Sequence, residues 1–524
     1  MPRERKPQHK PLSFSTTMRN PVRIAAFLNS VLPYEGQLLT NEIVEKVAIS
    51  LIVNKLYKPV YVSKKETLNE KYRSDELFTV DEATEIMINS PQDHKEAGFE
   101  KGWQSRFDTW YKLSMEFGFI YYEMNAPVII STTGHMLVDS LNEIPKNDEK
   151  IQSVFLNSMM KYQTNNPFRK NANSNAPLPL LLKVIKLLKE DKEENDAGIF
   201  RKELSLFICW ANNNAEELYK KIKEVRKTYK YNYSDEVMYE ICLDLLGATN
   251  AQRNRFKLDQ ITAEAVDEFI RKMRITGIFS LRGNGRFLDT NSFESDKIAY
   301  ILENYVDYDT FASKKDFFNY MGAIDTNIVS ITTKVIPNLS DIRQQTLLKW
   351  ANDYTKEAIF NELSILTGKT GSKNDTLKII DAPTRLEFLT SISLVQNFEN
   401  IVVNPNYHVD DEGLPTFTAS GGIADIECLD DECNSLFEVT LMTAKNQATN
   451  ELPAITRHLQ DAIKANPNKT VFSALVAPRI HQDSIYMANF TKYQYGIDIL
   501  TLTIDDFVKQ IQICDQVIDM INVS

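Results

Sequence analysis

Residues 421–441, GGIADIECLDDECNSLFEVTL, set two short apolar runs on either side of an acidic, turn-forming interval at Asp430–Asn434. That layout predicts an antiparallel β-hairpin. It constrains the fold more tightly than any other stretch, because strand side chains alternate between two faces and a slip of one residue exchanges them. With the turn centred near Asp431–Glu432, Asp425 falls opposite Glu438. Opposed Cβ atoms lie about 4.5–5.5 Å apart, so the hairpin brings two carboxylates together. Glu438 and Thr440 share a face, while Phe437 and Val439 point the other way.

Around the hairpin, helix and strand patterns alternate. APTRLEFLTSISLVQNF (382–398) reads as a helix, IVVNP (401–405) as a short strand and NELPAITRHLQDAIKA (450–465) as a helix. TVFSALVAP (470–478) reads as a buried strand, DILTLT (498–503) as a further strand and IDDFVKQIQICDQVI (504–518) as a final helix. Helix, three strands, helix, strand predicts an α/β domain whose central strands are covered on both faces. Glu451 and His458 stand two helical turns apart, on the face that also carries Ile455, Leu459 and Ala462. That face is predicted to turn inward, where a carboxylate and an imidazole need partners. Glu387 sits among apolar neighbours in the preceding helix.

Two earlier segments share one layout. Residues 102–137 predict a helix to about Met115 and then a hairpin turning at Asn125–Pro127. Residues 261–291 predict a helix over Ala263–Met273 and then a hairpin turning at Gly283-Asn284-Gly285, residues that tolerate positive φ. A helix followed by a hairpin is the ending of a winged-helix module, and an ordinary α+β subdomain shows the same pattern. Between them, PLPLLLKVIKLLKE (177–190) predicts a buried helix. The expected chain is therefore multidomain, α/β and α+β: a helical, winged-helix-like domain over 1–290, a connector over 291–312 and the α/β domain over 313–524.

The net charge of −11 argues against a protein that simply coats nucleic acid. The imbalance lies in one half: residues 1–290 hold 42 Lys+Arg against 39 Asp+Glu, and residues 291–524 hold 18 against 32. A near-neutral half can still grip phosphates through local patches, and an acidic half can house metal-binding carboxylates. Five scattered cysteines fit a reducing compartment. MPRERKPQHK lacks the apolar core of a signal peptide, and no apolar run reaches membrane-spanning length. A soluble, cytoplasmic protein with no membrane partner is expected.

Two apposed carboxylates suit Mg²⁺, whose shell is completed by water and phosphate oxygens. Such an ion neutralises charge developing on a phosphate and acidifies water, so the hairpin points to phosphodiester hydrolysis. Singly, each residue has a plainer reading: Asp425 a strand-end turn residue, Glu438 a satisfied core acid, Glu451 a complement to a helix N-terminus, His458 a bonded core histidine. Their convergence favours a site. The rival readings are a non-catalytic winged-helix DNA-binding protein with a decayed nuclease-like domain, and a nuclease that recognises DNA structure instead of sequence.

Asp425, followed by Glu438-Val439-Thr440, resembles the PD-(D/E)XK nuclease signature, with Ala424 in place of the usual Pro and Thr440 in place of the usual Lys. The wider strings PNYHVDDEGLPTFTASGGIADIE, FEVT and ELPAITRH, together with PLSFSTTMRNP, YEGQ and RITGIFSLRGNGRFLDT, are similar to the AlwI-like type IIS restriction endonucleases. The resemblance implies a Mg²⁺-dependent enzyme whose N-terminal half binds a short asymmetric site in double-stranded DNA and whose C-terminal half cuts a few base pairs away. It implies Glu387, Asp425, Glu438, Glu451 and His458 as active-site residues. Asp425, Glu438 and Glu387 would hold the metal, and Glu451 and His458 would support the attacking water or the scissile phosphate. Thr440 leaves the base that activates water unassigned; Lys445 would serve only if the chain bends back. Arg253, Arg255, Lys272, Arg274, Arg282 and Arg286 cluster around the second hairpin as DNA-contact residues, with Arg282 and Arg286 foremost at its tip. One such site cuts one strand at a time. Strand nicking, a transient homodimer through the nuclease domain, and a heterodimer with a small second subunit therefore all stay open. A cognate DNA methyltransferase is the expected companion of a restriction system.

Overall fold

The computed structural model describes residues 8–14, 18–74, 76–143, 147–194, 198–248, 255–305, 307–332, 338–368, 370–443 and 445–523. The chain forms two compact units, Met1–Lys334 and Val335–Ser524.

The first unit is chiefly helical, and both helix-then-hairpin segments form in it. Helix Trp103–Glu116 buries Phe107, Trp110 and Tyr111 and leads to Ile120–Tyr121, which pairs antiparallel with Ile129–Ile130. The corner between them requires a glycine: Gly118 has φ +79°, and a Cβ there would lie 2.4 Å from the Cβ of Met321. Phe117, beside it, packs its ring against Phe14, Phe119, Phe155 and Tyr162. In the second segment a wide turn at Gln260–Glu264 opens helix Ala265–Ile275, and Phe279–Arg282 pairs antiparallel with Phe287–Thr290. Gly283, Asn284 and Gly285 all take positive φ in the turn. Ile199–Phe200 adds a third strand to this hairpin from far upstream, a pairing that no local pattern announces.

The apolar helix forms over Pro177–Glu190, with its leading proline in the first turn, where no helical hydrogen bond is lost. The stretch expected as a connector, 291–312, contains helix Ser295–Asn304. Its Ile301 is fully buried, so this helix packs into the first unit, and the division between units falls after Lys334.

The second unit opens with helices α1 (Leu339–Asp353) and α2 (Lys356–Ile365), then α3 (Ala382–Asn397). The strands of its main sheet are β1 (Val402–Pro405), β2 (Ile426–Leu429), β3 (Cys433–Val439), β4 (Thr470–Ala477) and β5 (Ile499–Thr503), and a separate two-stranded ribbon pairs His408–Val409 with Pro415–Phe417. Helix α4 (Leu452–Ala465) joins β3 to β4, α5 (Gln482–Tyr495) joins β4 to β5, and α6 (Ile504–Ile513) follows β5. The sheet runs in the order β5-β4-β3-β2-β1. Its β3/β4 and β4/β5 pairs are parallel and its β2/β3 and β1/β2 pairs antiparallel. Every residue of β3 is buried, as a central strand covered on both faces requires. On one face Leu452, Ile455 and Leu459 of α4 pack with Leu475, Ala488 of α5 and Ile499. On the other, Phe437 meets Phe472 and Phe507 of α6.

Candidate active site

The hairpin register sets the site. Asn434 pairs with Leu429 and Phe437 with Ile426, so the next step along the ladder puts Glu438 opposite Asp425. Strand β2 begins one residue after Asp425, at Ile426, so the aspartate stands at the mouth of the hairpin. Its Oδ2 accepts a hydrogen bond from the Val439 N–H at 2.8 Å. Asn406, just beyond β1, secures the same point: its N–H donates to the Asp425 carbonyl at 2.9 Å and its side-chain amide to the Ala424 carbonyl at 2.8 Å.

Glu438 is 6% exposed. Its register partner Leu475 lies in the core beneath α4, so Glu438 faces that helix. There Nδ1 of His458 meets Glu438 Oε1 at 2.8 Å. With Glu438 ionised, the imidazole donates from Nδ1 and keeps Nε2 as its acceptor. Glu451 closes the turn Gln447–Glu451 that leads into α4, and its Oε1 lies 3.5 Å from the Thr440 hydroxyl. Asp425, Glu438, Glu451 and His458 thus lie together at this end of the hairpin. His458 also lines a cleft of about 330 Å³ with Asn406, Ala424, Glu427 and Asp461. Glu387, buried on α3, accepts the Ala419 N–H at 3.0 Å and so braces the loop that leads to Asp425. Lys445 is exposed.

The electrostatics are those of crowded acids. Burial, and then the charge of Glu438, push the Asp425 carboxyl well above the carboxylate range, against the opposing pull of the Val439 N–H. Burial and Glu438 likewise push Glu451 up, with the Thr440 hydroxyl opposing. Among the described residues no group of three His, Cys, Asp or Glu side chains stands in metal-holding geometry. A pair of hard oxygen ligands with a third carboxylate close by is nevertheless a donor set that Mg²⁺ accepts, since it keeps several waters and is bound through one or two carboxylates. The mutual repulsion is the local sign of a positive charge that would fit.

Two supporting residues escaped sequence reading. Asn406 is one polar residue after a proline, with nothing in its neighbourhood to single it out. Gln447 is fully buried in a stretch that reads as a polar loop. Its amide nitrogen donates to the carbonyls of Met442 and Arg479, and its oxygen accepts from the His481 N–H and the Ser484 hydroxyl. Only the tertiary fold reveals that clamp.

The basic residues of the first unit divide differently from expectation. Lys272 is completely buried and donates to the carbonyls of Met18 and Arg19 at 3.3 and 3.1 Å. Burial holds its ammonium down to about 8. Arg274 is buried as well. Arg282 turns back onto its own hairpin, with Nε 2.7 Å from Asp289 Oδ2 and a bond to the Thr290 carbonyl. Lys272 and Arg274 are thus buried, and Arg282, only partly exposed, is engaged by its own hairpin. Arg286 is exposed at the turn and bonds the Gly283 carbonyl at 3.0 Å. Arg255, also exposed, bonds Gln8 and lies over the ring of Phe256. Arg253 lies outside the described residues.

No curated protein matches the chain. Among solved structures it is similar to the small subunit of the heterodimeric restriction endonuclease R.BspD6I, at 22% identity over 30% of this chain and 76% of that one, with a TM-score of 0.25. It is similar to the restriction endonuclease FokI at 11% identity over 96% of each chain, with a TM-score of 0.24. For FokI bound to DNA the figures are 10% identity, 97% of this chain, 96% of that one and a TM-score of 0.23. The family model described as AlwI restriction endonuclease matches residues 115–346 and 321–510, together well over half of the chain. The chain belongs to the AlwI restriction endonuclease family.

Proposed function

We propose that this restriction endonuclease is of type IIS. It binds a short asymmetric site in double-stranded DNA through its first unit and hydrolyses phosphodiester bonds a few bases outside that site through its second. The observation that carries this reading is the convergence of Asp425, Glu438, Glu451 and His458 at the open end of the β2–β3 hairpin. The helix-and-hairpin segments of the first unit are read as winged-helix-like, with the exposed Arg286 and Arg255 as its phosphate or base contacts. The second unit is read as a PD-(D/E)XK-type domain. Mg²⁺ is the proposed cofactor, with Asp425 and Glu438 holding it and Glu387 contributing through the loop it braces. When bound, the ion supplies positive charge against the charge developing on the phosphate and makes water easier to deprotonate.

The chain's own residues do the rest. The Val439 N–H and His458 each take one oxygen of a carboxylate and so fix how Asp425 and Glu438 point. His458, anchored through Nδ1, presents Nε2 as the proton acceptor that Thr440 cannot be. This supplies the base missing from the strand. Glu451, whose carboxyl burial and the Glu438 charge push upward, is the group proposed to pass a proton toward the leaving oxygen. One such site per chain cuts one strand, so the protein either nicks or pairs with a second catalytic unit, its own copy or a small subunit. A cognate methyltransferase and a cytoplasmic setting complete the proposal. Among the described residues no helix is long and apolar enough to cross a membrane.

Incubating the full chain with supercoiled plasmid and Mg²⁺ tests this. Discrete linear fragments with ends at a fixed distance from one sequence are expected for double-strand cutting, and open circles for nicking. Salt-sensitive DNA binding with no cleavage of unmethylated DNA would favour the non-catalytic reading.

A further inference from the structure

Residues 335–524 hold 14 Lys+Arg against 25 Asp+Glu, and three of those carboxylates crowd the candidate site. A DNA phosphate entering that field brings still more negative charge, so the site calls for a cation fixed beside it. The second unit has four arginines. Arg343 and Arg385 donate to the carbonyls of Pro405 and Leu377. Arg457 is exposed, on the side of α4 away from the buried Ile455 and Leu459. Arg479 is exposed just past β4, and among the described residues its guanidinium makes no hydrogen bond or ion pair. Asp483, a little further on, faces His481 instead, with Oδ2 3.9 Å from Nδ1.

The fold carries Arg479 to the edge of that site. Beyond the paired residues Val439 and Val476, the Thr440 N–H donates to the Val476 carbonyl at 3.0 Å, so the exits of β3 and β4 run side by side. One nitrogen then joins the segments that follow: the Gln447 amide donates to the Met442 carbonyl at 2.9 Å and to the Arg479 carbonyl at 3.2 Å. Arg479 is thereby anchored through its backbone beside the loop that leaves Thr440, at the turn that ends in Glu451. Thr440 itself, on the Glu438 side of β3, carries a hydroxyl and no charge. A guanidinium stays protonated and offers a planar fork to two phosphate oxygens. We propose that Arg479 contacts a phosphate of the strand being cut, at the scissile position or next to it, and supplies the fixed positive charge that the exit of β3 lacks. This contact rests on the endonuclease reading above. Arg479 holds and neutralises the phosphate and neither takes nor gives a proton, so the roles of His458 and Glu451 are unaffected.

The test uses the full chain carrying Arg479→Gln or Arg479→Lys, with Arg457→Gln as a control on the outer side of α4. Cleavage of supercoiled plasmid with Mg²⁺ is followed with protein in excess, so that a single turnover is read. Arg479→Gln is expected to slow it about 100-fold, and Arg479→Lys to recover about tenfold of that loss by restoring the charge without the fork. Arg457→Gln is expected to cut at the parental rate, and all three variants to melt at the parental temperature. Filter binding to the linearised plasmid without divalent ion reads the contact apart from cleavage. The slope of log affinity against log salt should shrink by about one for Arg479→Gln and stay unchanged for Arg457→Gln. Once the cut is mapped, single neutral methylphosphonates around it should include one that slows the parent and adds nothing to the loss in Arg479→Gln. Parental cleavage by Arg479→Gln, an equal loss in Arg457→Gln, or an unchanged salt slope overturns the proposal. If the parent itself leaves plasmid intact, the endonuclease reading fails, and the salt slope still decides whether Arg479 meets a phosphate.

Discussion

Asp425 and Glu438 face each other across the mouth of a hairpin with one oxygen each engaged by the protein, so little freedom remains to relieve their repulsion. Asp425→Asn is therefore expected to keep DNA binding in a gel-shift assay while losing cleavage. If the ion stabilises the transition state by several kcal/mol, at about 1.4 kcal/mol per tenfold, the loss is roughly 10³-fold in rate. The same crowding sets a pH dependence. Asp425 and Glu451 are both pushed upward, so the folded chain retains protons that the unfolded chain has already released. Without divalent ion, stability is thus highest below the ordinary carboxylate range and falls as pH rises through the raised values. Thermal melts should show Mg²⁺ restoring more stability at pH 8 than at pH 5, with Asp425→Asn weakening the difference. The pairing of these carboxylates was legible in the sequence because strand alternation is rigid and the turn length was readable. What His458 contacts was not legible, because helical spacing gives a face and not a partner.

At the level of elements, α4 and α5 cover one face of the sheet, and Gln447 couples the turn before α4 to the start of α5. All four hydrogen-bonding positions of its amide are used. Gln447→Leu keeps the bulk and strands those partners. A destabilisation of about 2–3 kcal/mol is expected, measured by urea unfolding of the second unit, with a fall in kcat because Glu451 loses its support. The order of the main-sheet strands and of α3, α4 and α6 could be read from sequence, whereas the ribbon of His408–Val409 with Pro415–Phe417 was not read, and the last helix ends at Ile513, short of the expected 518. Helix α5 could not be read, since QDSIYMANFTKYQY exposes its aromatics and so lacks the apolar-inward pattern by which a surface helix is recognised. The third strand at Ile199–Phe200 was equally hidden, because its partner lies more than eighty residues away.

Across the whole molecule, two buried lysines tie distant segments of the first unit together. Lys272 holds Met18 and Arg19, and Lys161 holds the carbonyls of Tyr320 and Ala323. Burial lowers both to about 8 from an ordinary 10.5. The unfolded chain therefore binds more protons than the folded one between those values. Stability of the first unit should rise as pH climbs from about 8 toward 10.5, and Lys272→Met should flatten part of that slope in a series of thermal melts.

The turn at Asp430–Cys433 has a consequence for how such a chain can diverge. It counts in parity. One inserted residue on one arm of the hairpin would send Asp425 to the far face, while two would return it, displaced along the strand but on the same side as Glu438. An insertion of one residue between Leu429 and Asp430 should therefore abolish cleavage, and a pair inserted symmetrically around the turn should spare it, read on the same plasmid. Descendants of this sequence are free to rewrite the turn's letters and are restricted in changing its length to even steps.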